Sequence, residues 1–201
     1  MFSLLYGLWK YLFQKEEYFA LILGLDNAGK TTFLEQSKTQ LNHQYKGVAL
    51  NKITATVGLN IGRIHTNGIV LNFWDLGGQT ELQTLWDKYF AESHAIIYVI
   101  DSSDKERLED SKLAFDKMIT NEALNGVPLL LVANKQDIPE SLSLSRIKDI
   151  FINSNQVIGP RDYHSVSASA LKGDGVNESI AWTVGAIKRN VHNRPPHNSE
   201  D

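Results

Sequence analysis

The chain predicts an α/β fold: a mostly parallel six-stranded sheet with helices on both faces. Three observations carry that expectation. Short apolar runs alternate with helical stretches along most of the 201 residues. A glycine-rich turn joins the first apolar run to the first helix. Asn67-Gly68 lies between two alternating runs, which predicts a type I′ hairpin and one antiparallel pair.

Tyr18-Phe-Ala-Leu-Ile-Leu23, Ile69-Val-Leu-Asn-Phe-Trp74 and Pro128-Leu-Leu-Leu-Val-Ala133 are near-continuous apolar runs, the pattern of strands covered on both faces. In order, the spacing predicts a strand over 18–24, a helix from 30, and strands over 57–65 and 69–75 around the hairpin. A strand over 95–101, a helix over 105–120 and a strand over 128–134 follow. A helix at about 144–152, a strand over 163–167 and a helix over 176–190 complete the pattern. Ligand sites in such sheets lie at the strands' carboxyl ends. With 42% hydrophobic residues the chain can bury one full core, so residues 17–190 are expected to be a single domain. Residues 191–201, polar and with Pro195-Pro196, are expected to be a disordered tail. No internal repeat is visible.

Gly24-Leu25-Asp26-Asn27-Ala28-Gly29-Lys30-Thr31 matches G-x-x-x-x-G-K-[ST], with Thr32 following, and has a strand before it and a helix after it. Glycines let this backbone curl so that successive N–H groups face phosphate oxygens. Lys30 supplies charge to the outer phosphates, and the Thr31 hydroxyl suits Mg²⁺. The pattern is that of a P-loop NTPase binding a nucleoside polyphosphate. The base is set by Asn134-Lys135-Gln136-Asp137 at the end of a buried strand. The Asp137 carboxylate can accept the N1–H and N2–H₂ of guanine, whereas adenine would leave it unpaired. Such a site rejects the analogue by roughly 10⁴-fold or more. Asn134 is expected on the purine's other edge and the Lys135 stem on the base plane.

Between these motifs stands Asp75-Leu76-Gly77-Gly78-Gln79. Asp75 is the second Mg²⁺ element, acting through a bound water, because Mg²⁺ dehydrates reluctantly. Gly78 can bring its N–H close to a γ-phosphate, and Gln79 is placed to orient an attacking water. Spacing alone leaves Thr56 open between a third hydroxyl for the metal and an ordinary loop threonine.

In that order and spacing, Gly-Leu-Asp-Asn-Ala-Gly-Lys-Thr-Thr, Trp-Asp-Leu-Gly-Gly-Gln and Asn-Lys-Gln-Asp resemble the Arf family of small GTPases, from residue 1 to about 190. The resemblance implies a G-domain with an N-terminal amphipathic helix, GTP/GDP and Mg²⁺ as ligands, and Thr56 on the metal. It implies a fifth element, Ser169-Ala170-Leu171, whose backbone contacts the guanine. It also implies slow intrinsic hydrolysis, an exchange factor, a GTPase-activating protein and effector proteins. Asp26 stands where Ras-type relatives carry glycine, which fits. Neither presumed switch contains an arginine to act in cis, and lack of such a finger lowers rates by roughly 10³–10⁵.

With no cysteine, disulfides, Zn–thiolate sites, prenylation and palmitoylation are excluded. A net charge of −3 gives no support for nucleic-acid binding, and the six histidines show no ligand spacing. Residues 1–16 form the membrane candidate. Ser3, Gly7, Lys10 and Gln14 make one narrow polar stripe, and Phe2, Leu4, Leu5, Leu8, Trp9, Leu12 and Phe13 lie on the remaining apolar surface. The stretch reads either as a membrane element or as a helix packed on the domain. It is too short to span a bilayer and lacks the flanks of a signal peptide. Phe2 replaces the glycine that family members myristoylate, and Lys10 alone precedes Lys15, so a second determinant is needed. The resemblance implies an acetylated initiator methionine, an integral-membrane receptor, and cytoplasmic, peripheral attachment to Golgi and trans-Golgi membranes in the GTP form. It further implies a hairpin that slides by two residues, which preserves side-chain faces, and evicts the N-terminal helix.

By the same resemblance, Leu59, Trp74 and Tyr89 form an effector surface, although for Leu59 and Trp74 ordinary core packing stays open. Leu59 departs from the family's phenylalanine. The stretch 36–53 is long and polar, either a solvated loop or a surface particular to this chain. Two other function classes stand beside a trafficking switch: a metabolic P-loop kinase, for which no arginine-bearing lid appears, and a nucleotide-locked scaffold, which would not need Gln79 and Thr56.

Overall fold

The computed structural model describes residues 15–42, 44–49, 52–152 and 158–198. The N-terminal residues 2–13 assigned to the membrane therefore lie outside the described residues. Strand β1 (Glu16–Leu23) leads through the glycine turn into helix α1 (Lys30–Leu41). Strands β2 (Leu59–Thr66) and β3 (Ile69–Leu76) follow, then a 3-10 turn at Thr80–Leu85 and a short helix α2 (Asp87–Phe90). Next come β4 (Ala95–Asp101), α3 (Leu108–Ile119), β5 (Leu129–Asn134) and α4 (Leu144–Phe151). The order ends with β6 (Tyr163–Ser167), α5 (Val176–Arg189) and β7 (His197–Asn198).

The main sheet runs β2-β3-β1-β4-β5-β6. Its pairs are parallel except β2–β3, which is antiparallel as the hairpin requires. Asn67 and Gly68 have φ of 48° and 81°, the two positive values of a type I′ turn. Side-chain alternation divides the core into two layers. Tyr18, Ala20 and Ile22 face α1 and α5, whereas Leu21 and Leu23 face the layer holding Phe115 and Phe151 of α3 and α4.

Helix ends show which amides are already occupied. Helix α3 has Glu109 and Asp110 in its first turn, and α4 is capped by Ser143, whose hydroxyl accepts from the Arg146 N–H. Helix α1 has neither a side-chain cap nor an acidic first turn.

The segment after residue 190 corrects the expectation of disorder as far as Asn198. Strand β7 pairs antiparallel with β1, Glu16 opposite Asn198 and Glu17 opposite His197. Arg194 donates to the carbonyls of Ala91 and Ala123. His94, buried, accepts from the Phe19 N–H at 3.1 Å and bonds the Pro195 carbonyl at 2.9 Å. Main-chain groups take part in every one of these contacts, and main-chain groups leave no mark in composition.

Candidate functional site

The glycine turn curls by positive φ at Gly24 (138°), Asn27 (60°) and Gly29 (94°). Two of these glycines are also required by close approach. A Cβ on Gly24 would lie 2.1 Å from the Val99 carbonyl oxygen, and one on Gly29 would lie 2.3 Å from Asn134 Nδ2. Around the turn is a cavity of about 230 Å³ lined by Asp26, Lys30, Thr31, Thr56 and Gln79 among others. A second, of about 210 Å³, is lined by Asn134, Asp137, Ile138, Ala170 and Leu171. Gly29, Thr32 and Lys135 line both, so the two are halves of one groove.

In the first half, charge is buried. Lys30 is only 6% exposed, its ammonium donating to the carbonyls of Gly24 (3.0 Å) and Leu25 (2.8 Å). Burial lowers its pKa to about 8, against the opposing pull of Asp75 and Asp26. Asp75 is fully buried at the end of β3. Its Oδ2 accepts from Thr31 Oγ1 at 2.7 Å, Asn60 Nδ2 at 3.2 Å and Thr56 Oγ1 at 3.3 Å. Burial raises the Asp75 pKa, which those hydrogen bonds and Lys30 oppose. The Thr31 and Thr56 hydroxyls are 2.8 Å apart. Spacing alone left Thr56 undecided; the fold brings it to the other two metal candidates. Asp75 Oδ1 is buried without a hydrogen-bond partner. Two hydroxyls and a carboxylate with one orphaned oxygen form the hard-oxygen donor set that suits Mg²⁺.

Segments on either side of the cavity are tied together. The Gly77 N–H donates to the Gly58 carbonyl at 3.0 Å, and the Trp86 indole to the Gly77 carbonyl at 3.1 Å. Gly78 presses on the glycine turn itself: a Cβ there would stand 2.3 Å from the Asp26 nitrogen. Gln79 is exposed at the mouth of the cavity.

In the second half, Asp137 Oδ1 accepts from Ser169 Oγ at 2.6 Å. Lys135, at φ 64°, reaches Asp101 Oδ2 at 2.6 Å. Burial raises the Asp101 pKa, but the bonds to Lys135 and Ser103 leave it below the ordinary carboxylate range. Asn134 is tied at both ends of its amide: Nδ2 donates one hydrogen to the Ala28 carbonyl at 2.7 Å, leaving the other for a base edge, and Oδ1 accepts from the Ala170 N–H at 2.9 Å. The Ser169 N–H donates to the Asp174 carbonyl. Thus the amides of Ser169 and Ala170, expected on the guanine, are engaged inside the protein, and Asn134 links the two halves of the groove.

The effector cluster is brought together but not displayed. Trp74 packs against Tyr89 (ring centroids 5.1 Å) and Phe19 (4.6 Å), with Leu59 beside them. Trp74 is buried, and Leu59 and Tyr89 are half-buried, because β3 is covered on both faces here. Of the two readings left open for Leu59 and Trp74, this conformation shows the packed one.

Two contributors went unnoticed in the sequence. Asn60 lies directly opposite Asp75 in the β2–β3 register, and the hairpin's register could have found it. Arg107 donates to Asp26 Oδ1 at 3.0 Å and to the Asp26 carbonyl at 3.2 Å across 81 residues, with no local signal.

Comparison with known proteins agrees with this geometry. The profile of the ADP-ribosylation factor family matches residues 5–187. ADP-ribosylation factor-related protein 1 of Bos taurus is 61% identical over 98% of this chain and 97% of its own length; that of Homo sapiens is equally similar. ADP-ribosylation factor-like protein 3 of Saccharomyces cerevisiae is 42% identical over 98% of each chain. Among solved structures, the Arl6 (BBS3) small GTPase of Trypanosoma brucei with bound nucleotide analogue GppNp superposes with a TM-score of 0.73. It is 29% identical and covers 86% of this chain and 98% of its own.

Proposed function

Because the chain belongs to the ADP-ribosylation factor family of small GTPases, which bind GTP and GDP with Mg²⁺ and hydrolyse GTP, we propose that it is a membrane-recruited switch regulating vesicle traffic at the Golgi and trans-Golgi network. The observation that supports a switch best is the meeting of Thr31, Thr56 and Asp75, from three separate segments, at one metal-suited point. A third phosphate offers contacts that a diphosphate lacks, and such differential contacts are what bias a two-state element.

In this reading Thr31, Thr56 and Asp75 would hold Mg²⁺, which when bound would supply charge neutralisation to the phosphates. Lys30 and the amides of the glycine turn, from Gly24 through Thr32, hold the phosphates. The Gly78 N–H marks the outer phosphate, and Asp137 selects guanine. Gln79 orients the attacking water, slowly until a partner completes the site.

Family members work with exchange factors, activating proteins and effectors. For this chain we infer in addition an integral-membrane receptor, and cytoplasmic, peripheral attachment through Phe2, Leu4, Leu5, Leu8, Trp9, Leu12 and Phe13 in the GTP form. A fully buried Leu or Phe contributes about 1.5–3 kcal/mol, so several suffice for weak attachment without lipid. Sliding of the β2–β3 hairpin releases that segment and uncovers Trp74. Imaging the tagged full chain, Thr31→Asn, Gln79→Leu and a form lacking residues 2–13 tests the proposal. Gln79→Leu should concentrate on Golgi membranes and Thr31→Asn should disperse. Golgi localisation of the truncated form would refute the assigned anchor.

A further inference from the structure

Asp26 presents a problem in electrostatics. It places a carboxylate inside a loop built to receive phosphates, and it lines the phosphate cavity beside Lys30 and Thr31. A free carboxylate there would repel a polyphosphate, and would repel the extra charge of a triphosphate most. The fold meets it with Arg107, at the start of α3. The guanidinium lies along Asp26 as a fork, Nη1 on the carboxylate at 3.0 Å and Nη2 on the main-chain carbonyl at 3.2 Å. It is aimed from behind by Asp104, whose Oδ2 accepts from Arg107 Nε at 2.7 Å and whose Oδ1 accepts from the Arg107 backbone N–H at 3.2 Å. A planar five-donor group can make all three side-chain bonds at once; a lysine ammonium cannot match that fork.

We propose that Arg107 is a positioning residue for the phosphate site: it pairs the Asp26 carboxylate at the cavity wall, offsetting its charge, and fixes the Asp26 main chain, so that the loop retains a triphosphate and not only a diphosphate. The main-chain contact matters because Gly78, assigned to the outer phosphate, packs on the Asp26 nitrogen. Displacing Asp26 therefore disturbs the triphosphate end of the cavity first. The role differs from an arginine finger, since both η nitrogens are turned onto Asp26.

The inference rests on the assignment of this cavity to phosphates, and the experiment separates the two. Release of a fluorescent non-hydrolysable GTP analogue and of fluorescent GDP is timed from the full-length protein with Mg²⁺. The forms compared are wild type, Arg107→Ala, Arg107→Lys, Asp26→Asn and the double variant Asp26→Asn/Arg107→Ala. Arg107→Ala should release the triphosphate analogue roughly tenfold faster while GDP release changes less, and Arg107→Lys should recover only part. In the Asp26→Asn background the alanine change should lose the part of its effect that comes from the carboxylate and keep the smaller part that comes from the main-chain contact. Arg107→Gln, which keeps length without charge, replaces the alanine variant if that does not fold. Equal acceleration for both nucleotides in both backgrounds would make Arg107 a plain structural anchor and overturn the proposal, as would unchanged release. A wild-type protein holding neither nucleotide would overturn the cavity assignment itself.

Discussion

The two halves of the groove are built on opposite principles. In the phosphate half, charge is taken out of water: Lys30 is 6% exposed, Asp75 is fully buried, and Asp75 Oδ1 has no partner among the described residues. In the base half, Asp137 is half-buried with one short bond to Ser169, and Leu171 is 59% exposed. A buried charge without a partner lowers the stability of the fold, and a ligand that pairs with it restores that stability as affinity. A half-solvated carboxylate does neither on a large scale, but it discriminates, because the wrong base leaves it unpaired. On the proposed assignment, one half supplies tight binding and the other supplies choice.

The largest expected effect tests the base half. Asp137→Ala should lower the preference for GTP over ATP by roughly 10⁴-fold, measured as two dissociation constants by calorimetry. Stability should shift by only about 0.5 kcal/mol, because the site is half-solvated. Retained preference would move the choice of base elsewhere and break the contrast.

Next comes the phosphate half, where affinity and stability should move in opposite directions. Lys30→Met should weaken nucleotide binding by roughly a hundredfold, the scale of a lost charge-assisted bond. The nucleotide-free protein should melt at a higher temperature, because a desolvated cation has been removed. A lower melting temperature would show that the Gly24 and Leu25 carbonyls fully compensate the ammonium.

Asn134 joins the halves, so its loss should be felt in both. Asn134→Ala leaves the Ala28 carbonyl and the Ala170 N–H buried without partners, at a cost of about 2 kcal/mol in denaturant unfolding. It should weaken GDP and GTP alike, without the base selectivity change of Asp137→Ala.

The smallest effect is in pH. Lys30 falls from 10.5 in the unfolded chain to about 8 in the fold. Below about pH 8 the buried cation exerts its full penalty. Between about 8 and 10.5 the unfolded chain binds more protons than the folded one, so stability rises with pH. From pH 8 to 9 the nucleotide-free protein should gain about 1 kcal/mol relative to the nucleotide-bound form, in which phosphate pairing keeps the lysine charged. Parallel pH profiles of the two forms, or an undiminished rise in Lys30→Met, would remove Lys30 as the cause.

Much of this groove was legible in the chain. The apolar runs and the Asn67-Gly68 turn placed β1 to β6 within two residues of their observed limits, because burial on both faces and positive φ are local demands. The glycine loop, Asp75-to-Gln79 and Asn134-to-Asp137 could be assigned for the same reason: a strand end presents its following residues in a geometry that its own length dictates. The β2–β3 hairpin was readable as an element, but the burial of Trp74 was not, since it depends on Phe19 of β1 and on Tyr89 packing across it.

By itself, then, the sequence determined the order of strands and helices and the family, and marked the glycine loop and Asp137 as candidates for phosphate and base, all features encoded within one element and the turn after it. Only the tertiary structure decided that Arg107 meets Asp26 across 81 residues, that Asn134 clamps Ala28 across 106, and that His197 and Asn198 pair with β1 while Arg194 and Pro195 are held at Ala91, Ala123 and His94. Local pattern is set by periodicity and dihedral preference, which act over a few residues. These other contacts are set by which strands become neighbours and by backbone groups that every residue carries alike, so no side-chain pattern announces them.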